Sequence, residues 1–202
     1  MARPKDADAA KTQTAILDAA EGIFAEHGFS GARMVGIAEG AGVTHSLLHY
    51  YFESKEKLYA AVIDRLFGRH LSLVQRLIAD ATGDGAPIRE VIVQSFDLFW
   101  EHPNQVRIML WEMASGDDRV ERIAQPFFET MLSALPTLNN ESPAAQCATH
   151  DTRDVYATLL GALVVYFFRD PTLKMLYKQN RFTEADRTRR RAHIGSLVDL
   201  FF

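Results

Sequence analysis

Helical spacing of apolar residues is sustained along almost the whole chain, and it restricts the fold more than any other feature. From Thr14 the apolar positions fall at Ile16, Leu17, Ala20, Ile23 and Phe24, the single stripe of an amphipathic helix. Gly28 stops that helix, and "GFSGAR" reads as a turn. A short helix follows through Val35, Ile37 and Ala38, ended by Gly40 and Gly42. Thr44 is placed to cap a third helix through Leu47, Leu48 and Tyr51. Ser54 starts a fourth, whose stripe from Leu58 through Val62, Leu66, Leu73 and Leu77 makes it the long connector, broken at "TGDGAP". Further helices are expected over 88–101, 104–115, 117–135 (kinked or split by Pro126), 151–168 and 183–202, with a polar loop after Pro136. No alternating strand pattern of useful length and no repeat is present. The expected class is all-α, with a head at 1–53 and a helical body at 54–202.

Composition narrows the function. No apolar run reaches the roughly 18–20 residues needed to span a bilayer; the longest, "LLGALVVYFF", ends at Arg169 and Asp170. The first residues, "MARPKDADAAKTQ", lack the apolar core of a secretory signal. Cys147 is the only cysteine, which excludes an intrachain disulfide and a cysteine metal cluster. A cytoplasmic location is expected. The net charge of −4 gives no general attraction for nucleic acid, so any such binding must rest on a local surface.

Such a surface is suggested by "GVTHSLLHYYFESKEKL". Positions 36–51 hold a short helix, a turn at Gly42 and a second short helix, the order of a helix-turn-helix, whose second helix enters the major groove. The turn glycine suits a tight reversal with positive φ. Val43, Leu48 and Phe52 are the expected inward anchors. Thr44, His45, Ser46, Leu47, His49 and Tyr50 are then left on the outer side or rim. Tyr50 and Tyr51 are adjacent and so point about 100° apart on a helix; one is expected to pack and one to reach the DNA backbone.

The stretch from Ala19 to Ile63 resembles the DNA-binding region of the TetR family of transcriptional regulators. The residues that carry the resemblance are Ala19, Ala20, Phe24, Gly28, Phe29, Ile37, Ala38, Ala41, Gly42, Val43, Leu48, Phe52, Lys55 and Leu58. The resemblance implies an all-α homodimer with a DNA-binding head, a C-terminal body that binds a small effector, and a double-stranded operator as partner. Two departures stand out. Arg33 and Met34 occupy the start of the second helix, where the family usually has Thr or Ser on a phosphate, and Arg33 offers a charge-assisted substitute. His49 stands where a Tyr is usual, and Tyr51 keeps the usual aromatic before Phe52. With Lys55 at the start of the fourth helix, these residues form the expected DNA-binding set.

Residues 1–60 carry six basic side chains against eight acidic ones, so few and well-placed contacts must supply the affinity. His45 and His49 lie four apart on one face, a spacing that can hold zinc, but no third ligand is suggested nearby and no metal is expected. Their protonation would make DNA binding pH-sensitive. In the body, Phe96, Trp100, Trp111, Phe128, Met131 and Tyr166 are the expected lining of an adaptable apolar pocket, with His102 and Glu112 as polar contacts. Most such side chains in a helical body are simply core. The apolar faces at Val155, Leu159, Leu163 and Phe167 and at Ile194, Leu197, Val198 and Phe201 are the expected dimer interface, with Gly161, Ala162 and Gly195 allowing close approach. Arg187, Arg189, Arg190 and Arg191 read as a solvated face or intersubunit ion pairs. No nucleophile elbow, phosphate loop or cofactor fingerprint occurs, and no cofactor is expected. An enzyme for a small hydrophobic molecule and a helical interaction module without specific DNA binding remain the competing readings. In the regulator reading, the fourth helix joins head to body and is the natural lever between effector and DNA.

Overall fold

The structure, a computed structural model, describes residues 4–80, 87–115, 152–167, 175, 178 and 183–201. These form α1 (Pro4–Gly31), α2 (Met34–Gly40), α3 (His45–Phe52), α4 (Lys55–Asp80), α5 (Pro87–Glu101), α6 (Pro103–Ser115), α7 (Thr152–Val164, continued by a 3-10 turn at Val165–Phe167) and α8 (Glu184–Val198). The fold is all-α. The expected helix and kink over 117–135, the loop after Pro136, Phe128, Met131 and Cys147 lie outside the described residues.

The chain divides into two compact units, Met1–Phe67 with Arg107–Gln125, and Gly68–Val106 with Pro126–Phe202. The head expected to end at residue 53 therefore extends through the first half of α4. The reason is burial: Leu58, Tyr59, Val62, Ile63 and Leu66 of α4 and Ile108 of α6 share one apolar core with Ile16, Ala20 and Phe24 of α1, Ile37 of α2, and Leu48 and Phe52 of α3. Each such side chain removed from water contributes about 1.5–3 kcal/mol. Two helices, α4 and α6, contribute residues to both units, so α4 is not the single connecting element.

Gly28 does not end α1 but kinks it, with φ 66° and ψ 178°, and the helix resumes to Gly31. The Trp111 indole fills the space at this kink. A Cβ on Gly28 would stand 3.1–3.4 Å from three indole ring atoms, and the indole N–H donates to the Ala25 carbonyl at 3.3 Å. Trp111 is thus part of the N-terminal unit and is not a lining residue of the body.

In the second unit α8 packs on α5 and on α7. Val155, Leu159, Leu163, Ile194 and Val198 are all buried within the single chain. Their assignment to a dimer interface is corrected: a helical core stripe and a helical interface stripe have the same period, and this one is core. Phe167, Leu197 and Phe201 are half-buried. Gly195 likewise serves the chain's own packing, because a Cβ there would lie 2.6 Å from the Arg89 guanidinium, which reaches past it to Asp199 at 2.7 Å. The arginine run of α8 is also engaged inside the chain. Arg187 and Arg191 pair with Asp97 at 3.0 and 2.8 Å, and Arg190 donates to the Ala162 carbonyl at 2.7 Å while lying 4.9 Å from the Tyr166 ring.

Candidate nucleic-acid interface

Each turn around α2 and α3 has a local cause. Arg33 takes an extended conformation (φ −117°, ψ 132°) ahead of α2, without a side-chain cap, which leaves its guanidinium exposed. Between the helices Gly42 has φ 66°, and a Cβ there would meet nothing within 4 Å. The requirement at Gly42 is therefore the left-handed backbone and not space. Thr44 caps α3, its hydroxyl accepting from the Leu47 N–H at 3.2 Å. Loss of such a cap costs about 1 kcal/mol. Ser54 performs the same role for α4, accepting from the Lys57 N–H at 3.2 Å.

These caps fix the rotation of α3. Leu48 and Phe52 point into the core, and Val43 packs against it from a half-buried position. Thr44, His45 and Ser46 are exposed, Leu47 is 38% exposed and Tyr50 is 79% exposed. An aromatic left that open stands out against the burial of its neighbours. The two tyrosines part as expected: Tyr51 packs half-buried on the core, and its ring meets the edge of Tyr50 at 5.5 Å. Tyr51 therefore props Tyr50 from behind instead of sharing the open face.

The histidines meet edge to face at 4.5 Å. His49 is half-buried, and its Nδ1–H donates to the Glu53 carbonyl at 2.9 Å. Among the described residues no group of three metal-ligating side chains occurs.

Lys55, expected from sequence among the DNA-binding residues, also makes contacts within the chain. Its ammonium sits 4.6 Å over the Phe29 ring and 3.4 Å from the Ser30 carbonyl. It thus ties the start of α4 to the end of α1, a contact no spacing rule reveals, since Phe29 and Lys55 are far apart in sequence. Three acidic groups of the unit are held in ion pairs. Arg65 holds Asp18 at 2.6 Å and Glu21 at 2.5 Å, and Lys57 holds Glu53 at 2.5 Å.

Behind the interface, Tyr59 meets Phe24 at 4.8 Å and Phe29 at 5.1 Å, edge to face. Its hydroxyl donates to the buried carboxylate of Glu112. Glu112, read from sequence as a polar contact in the body, belongs to this unit and holds α6 to α4.

In the second unit Phe96, Trp100, Tyr166 and Phe167 form one aromatic cluster, with ring centroids 5.6–6.4 Å apart. Three residues expected to line a pocket are therefore brought together, while Trp111 is elsewhere. Phe167, expected at a dimer interface, sits among them. Sequence reasoning missed Gln105, which is 1% exposed with neither its amide oxygen nor its nitrogen hydrogen-bonded among the described residues. A buried amide without partners costs about 1–3 kcal/mol. The place of Gln105 in the polar first turn of α6, beside Asn104, gave no signal of burial.

Comparison with known proteins agrees with this architecture. Residues 16–62 match the family model described as bacterial regulatory proteins, tetR family, and residues 86–198 match the tetracyclin repressor-like C-terminal domain. The chain is 34% identical over 178 residues to the HTH-type transcriptional repressor BepR of Brucella suis biovar 1, an alignment covering 83% of this chain and 84% of BepR. It is 31% identical over 110 residues to the HTH-type transcriptional repressor NicS of Pseudomonas putida, covering 54% of this chain and 51% of NicS, so that match spans about half of that relative. The solved structure of SCO4942 from Streptomyces coelicolor superimposes with a TM-score of 0.70 at 26% identity, covering 95% of this chain and 98% of that one. The chain belongs to the TetR family of transcriptional regulators.

Proposed function

We propose that this protein is a homodimeric repressor that binds a palindromic operator through α3 and is released when a small, largely apolar effector binds the C-terminal unit. The observation that carries the DNA-binding reading is the outer face of α3. His45, Ser46, Leu47 and Tyr50 are exposed side by side on a helix whose opposite face is fully buried. Arg33 at the start of α2 and Lys55 at the start of α4 flank that face as phosphate contacts, joined by the backbone N–H groups of capped helix starts. Two such heads on a two-fold axis would read half-sites about 34–36 Å apart.

The test is anisotropy with the DNA upstream of the protein's own gene, repeated across salt concentrations. Tyr50→Ala should weaken binding about tenfold while leaving the melting temperature unchanged, because an exposed ring adds little to folding. Lys55→Ala should weaken all sequences alike and lower the salt slope by about one per head. Substituting His45 or Leu47 should change which sequence is preferred. Wild-type affinity no higher for the upstream DNA than for scrambled DNA would remove the repressor reading and favour an interaction module.

For the dimer, the support is apolar surface left open on the last helices, with Val165 57% and Leu200 75% exposed. The interface is placed on these outer faces, with Leu197 and Phe201 at its edge. Sedimentation at micromolar concentration should give a dimer, and Val165→Asp with Leu200→Asp should give a folded monomer. A wild-type monomer contradicts the proposal.

For the effector, the support is the aromatic cluster of Phe96, Trp100, Tyr166 and Phe167 and, in the same unit, the buried amide of Gln105, which has no hydrogen-bond partner among the described residues. This combination suits a mostly apolar molecule bearing one hydrogen-bonding group. Phe128 and Met131 remain proposed as lining. Coupling of about 1–3 kcal/mol between effector and operator would change affinity about 5–150-fold. Both α4 and α6 are available to transmit it.

A further inference from the structure

Side chains tell bases apart most strongly through Arg or Lys on guanine, Asn or Gln on adenine, and Asp or Glu on cytosine. The α3 sequence, HSLLHYYF, contains none of these residue types. In a helix-turn-helix the N-terminal residues of the second helix reach the base edges. Here those residues are His45, Ser46 and Leu47, and all are exposed. The hydrogen-bonding groups around them are few. His45 offers one imidazole, packed edge to face against His49 at 4.5 Å. His49 is half-buried, with its Nδ1–H committed to the Glu53 carbonyl. The Thr44 hydroxyl is engaged in capping, accepting from the Leu47 N–H at 3.2 Å. That cap bond fixes the backbone at Leu47, while the next residue, Leu48, is fully buried in the core. An isobutyl group is thus held open at a place where this motif presents its base readers.

We propose that Leu47 reads the 5-methyl group of thymine in the major groove, so that the preferred DNA is selected more by apolar contact than by hydrogen bonding. This rests on the DNA-binding reading above and supplies the chemistry of its sequence preference. Only A·T and T·A pairs present a methyl group in the major groove. Packing that methyl on Leu47 removes apolar surface from water on both sides. A guanine or cytosine edge in the same place would have its polar groups covered by the isobutyl group without a partner, which is costly. Both effects favour thymine. His45 and Ser46 add single hydrogen bonds at adjoining bases, and Tyr50, nearly one turn further along α3, is left for the DNA backbone.

The experiment exchanges the methyl groups and nothing else. Labelled DNA from upstream of the protein's own gene is prepared once with thymine and once with uracil in its place, and each duplex is titrated with the full chain in a gel-shift assay. Wild type should bind the uracil duplex about fourfold more weakly for each methyl contacted, and about fifteenfold for one methyl in each of two half-sites. Leu47→Ala should melt like wild type, because the side chain is exposed, and should bind the two duplexes equally. Leu47→Met, which restores apolar reach, should again prefer thymine. Tyr50→Ala should weaken both duplexes by the same factor. A wild type that prefers the upstream DNA to scrambled DNA, yet binds its uracil form equally well, overturns the methyl reading and leaves DNA binding intact. A preference for thymine that persists in Leu47→Ala belongs to duplex shape or to another residue and overturns it as well. A wild type that treats upstream and scrambled DNA alike removes the DNA-binding reading itself, and this inference with it.

Discussion

Gly28→Ala should destabilise the N-terminal unit by roughly 2–5 kcal/mol, the sum of two separable costs. Gly28 holds φ 66° and ψ 178°, a region that only glycine enters readily. A methyl group there would also stand 3.1 Å from the Trp111 ring. That ring donates to the Ala25 carbonyl at 3.3 Å and is 45% exposed, so the backbone strain is the larger of the two costs. Natural domains are stable by only about 5–15 kcal/mol, so the variant should lose its head first, and DNA binding with it. Urea denaturation of Gly28→Ala, Trp111→Ala and the double variant forms a cycle that separates the costs. The double variant should recover the clash but not the backbone strain. A Gly28→Ala protein as stable as wild type would mean that the kink is not held as described.

Acid should destabilise the second unit through His70. Burial lowers the pKa of this imidazole from 6.5 to about 4. Its Nε2 lies 3.1 Å from the Ser95 hydroxyl, whose own proton goes to the Val91 carbonyl at 2.7 Å. Nε2–H of His70 is therefore the donor of that bond, and the Phe99 ring packs at 5.4 Å on the imidazole. In the unfolded chain His70 takes up a proton below its ordinary pKa, while the folded chain refuses it until well below. The unfolded state binds more protons between the two values, so stability rises with pH across that window. Relative to neutral pH, the loss should be about 2 kcal/mol by about pH 5 and about 3 kcal/mol by about pH 4. Chemical denaturation of wild type and His70→Leu at a series of pH values measures it. The variant's stability should fall less steeply with acid, and parallel curves would show that His70 is not the buried neutral group described here.

What the sequence determined by itself was local. The 3.6-residue stripe set the class and the positions of most helices, because amphipathic period is written in the chain. Gly42 and Thr44 marked the turn and the cap of α3, since left-handed backbone and side-chain capping each require particular residue types at particular places. That one of Tyr50 and Tyr51 would pack and the other stand open followed from helix geometry, while the packing of Tyr51 on the core decided which. What needed the tertiary structure was every choice between surfaces that share one period. Leu159, Leu163, Ile194 and Val198 form the same stripe whether it meets another subunit or other helices of the same chain, and only their burial decided for the core. Trp111 and Glu112 stand in a helix that serves both units, and only contact with Gly28 and Tyr59 assigned them to the first. Lys55 over Phe29, and Asp97 between Arg187 and Arg191, join residues distant in sequence. Side-chain periodicity reports which face of a helix is apolar or charged, and carries no information about what that face meets.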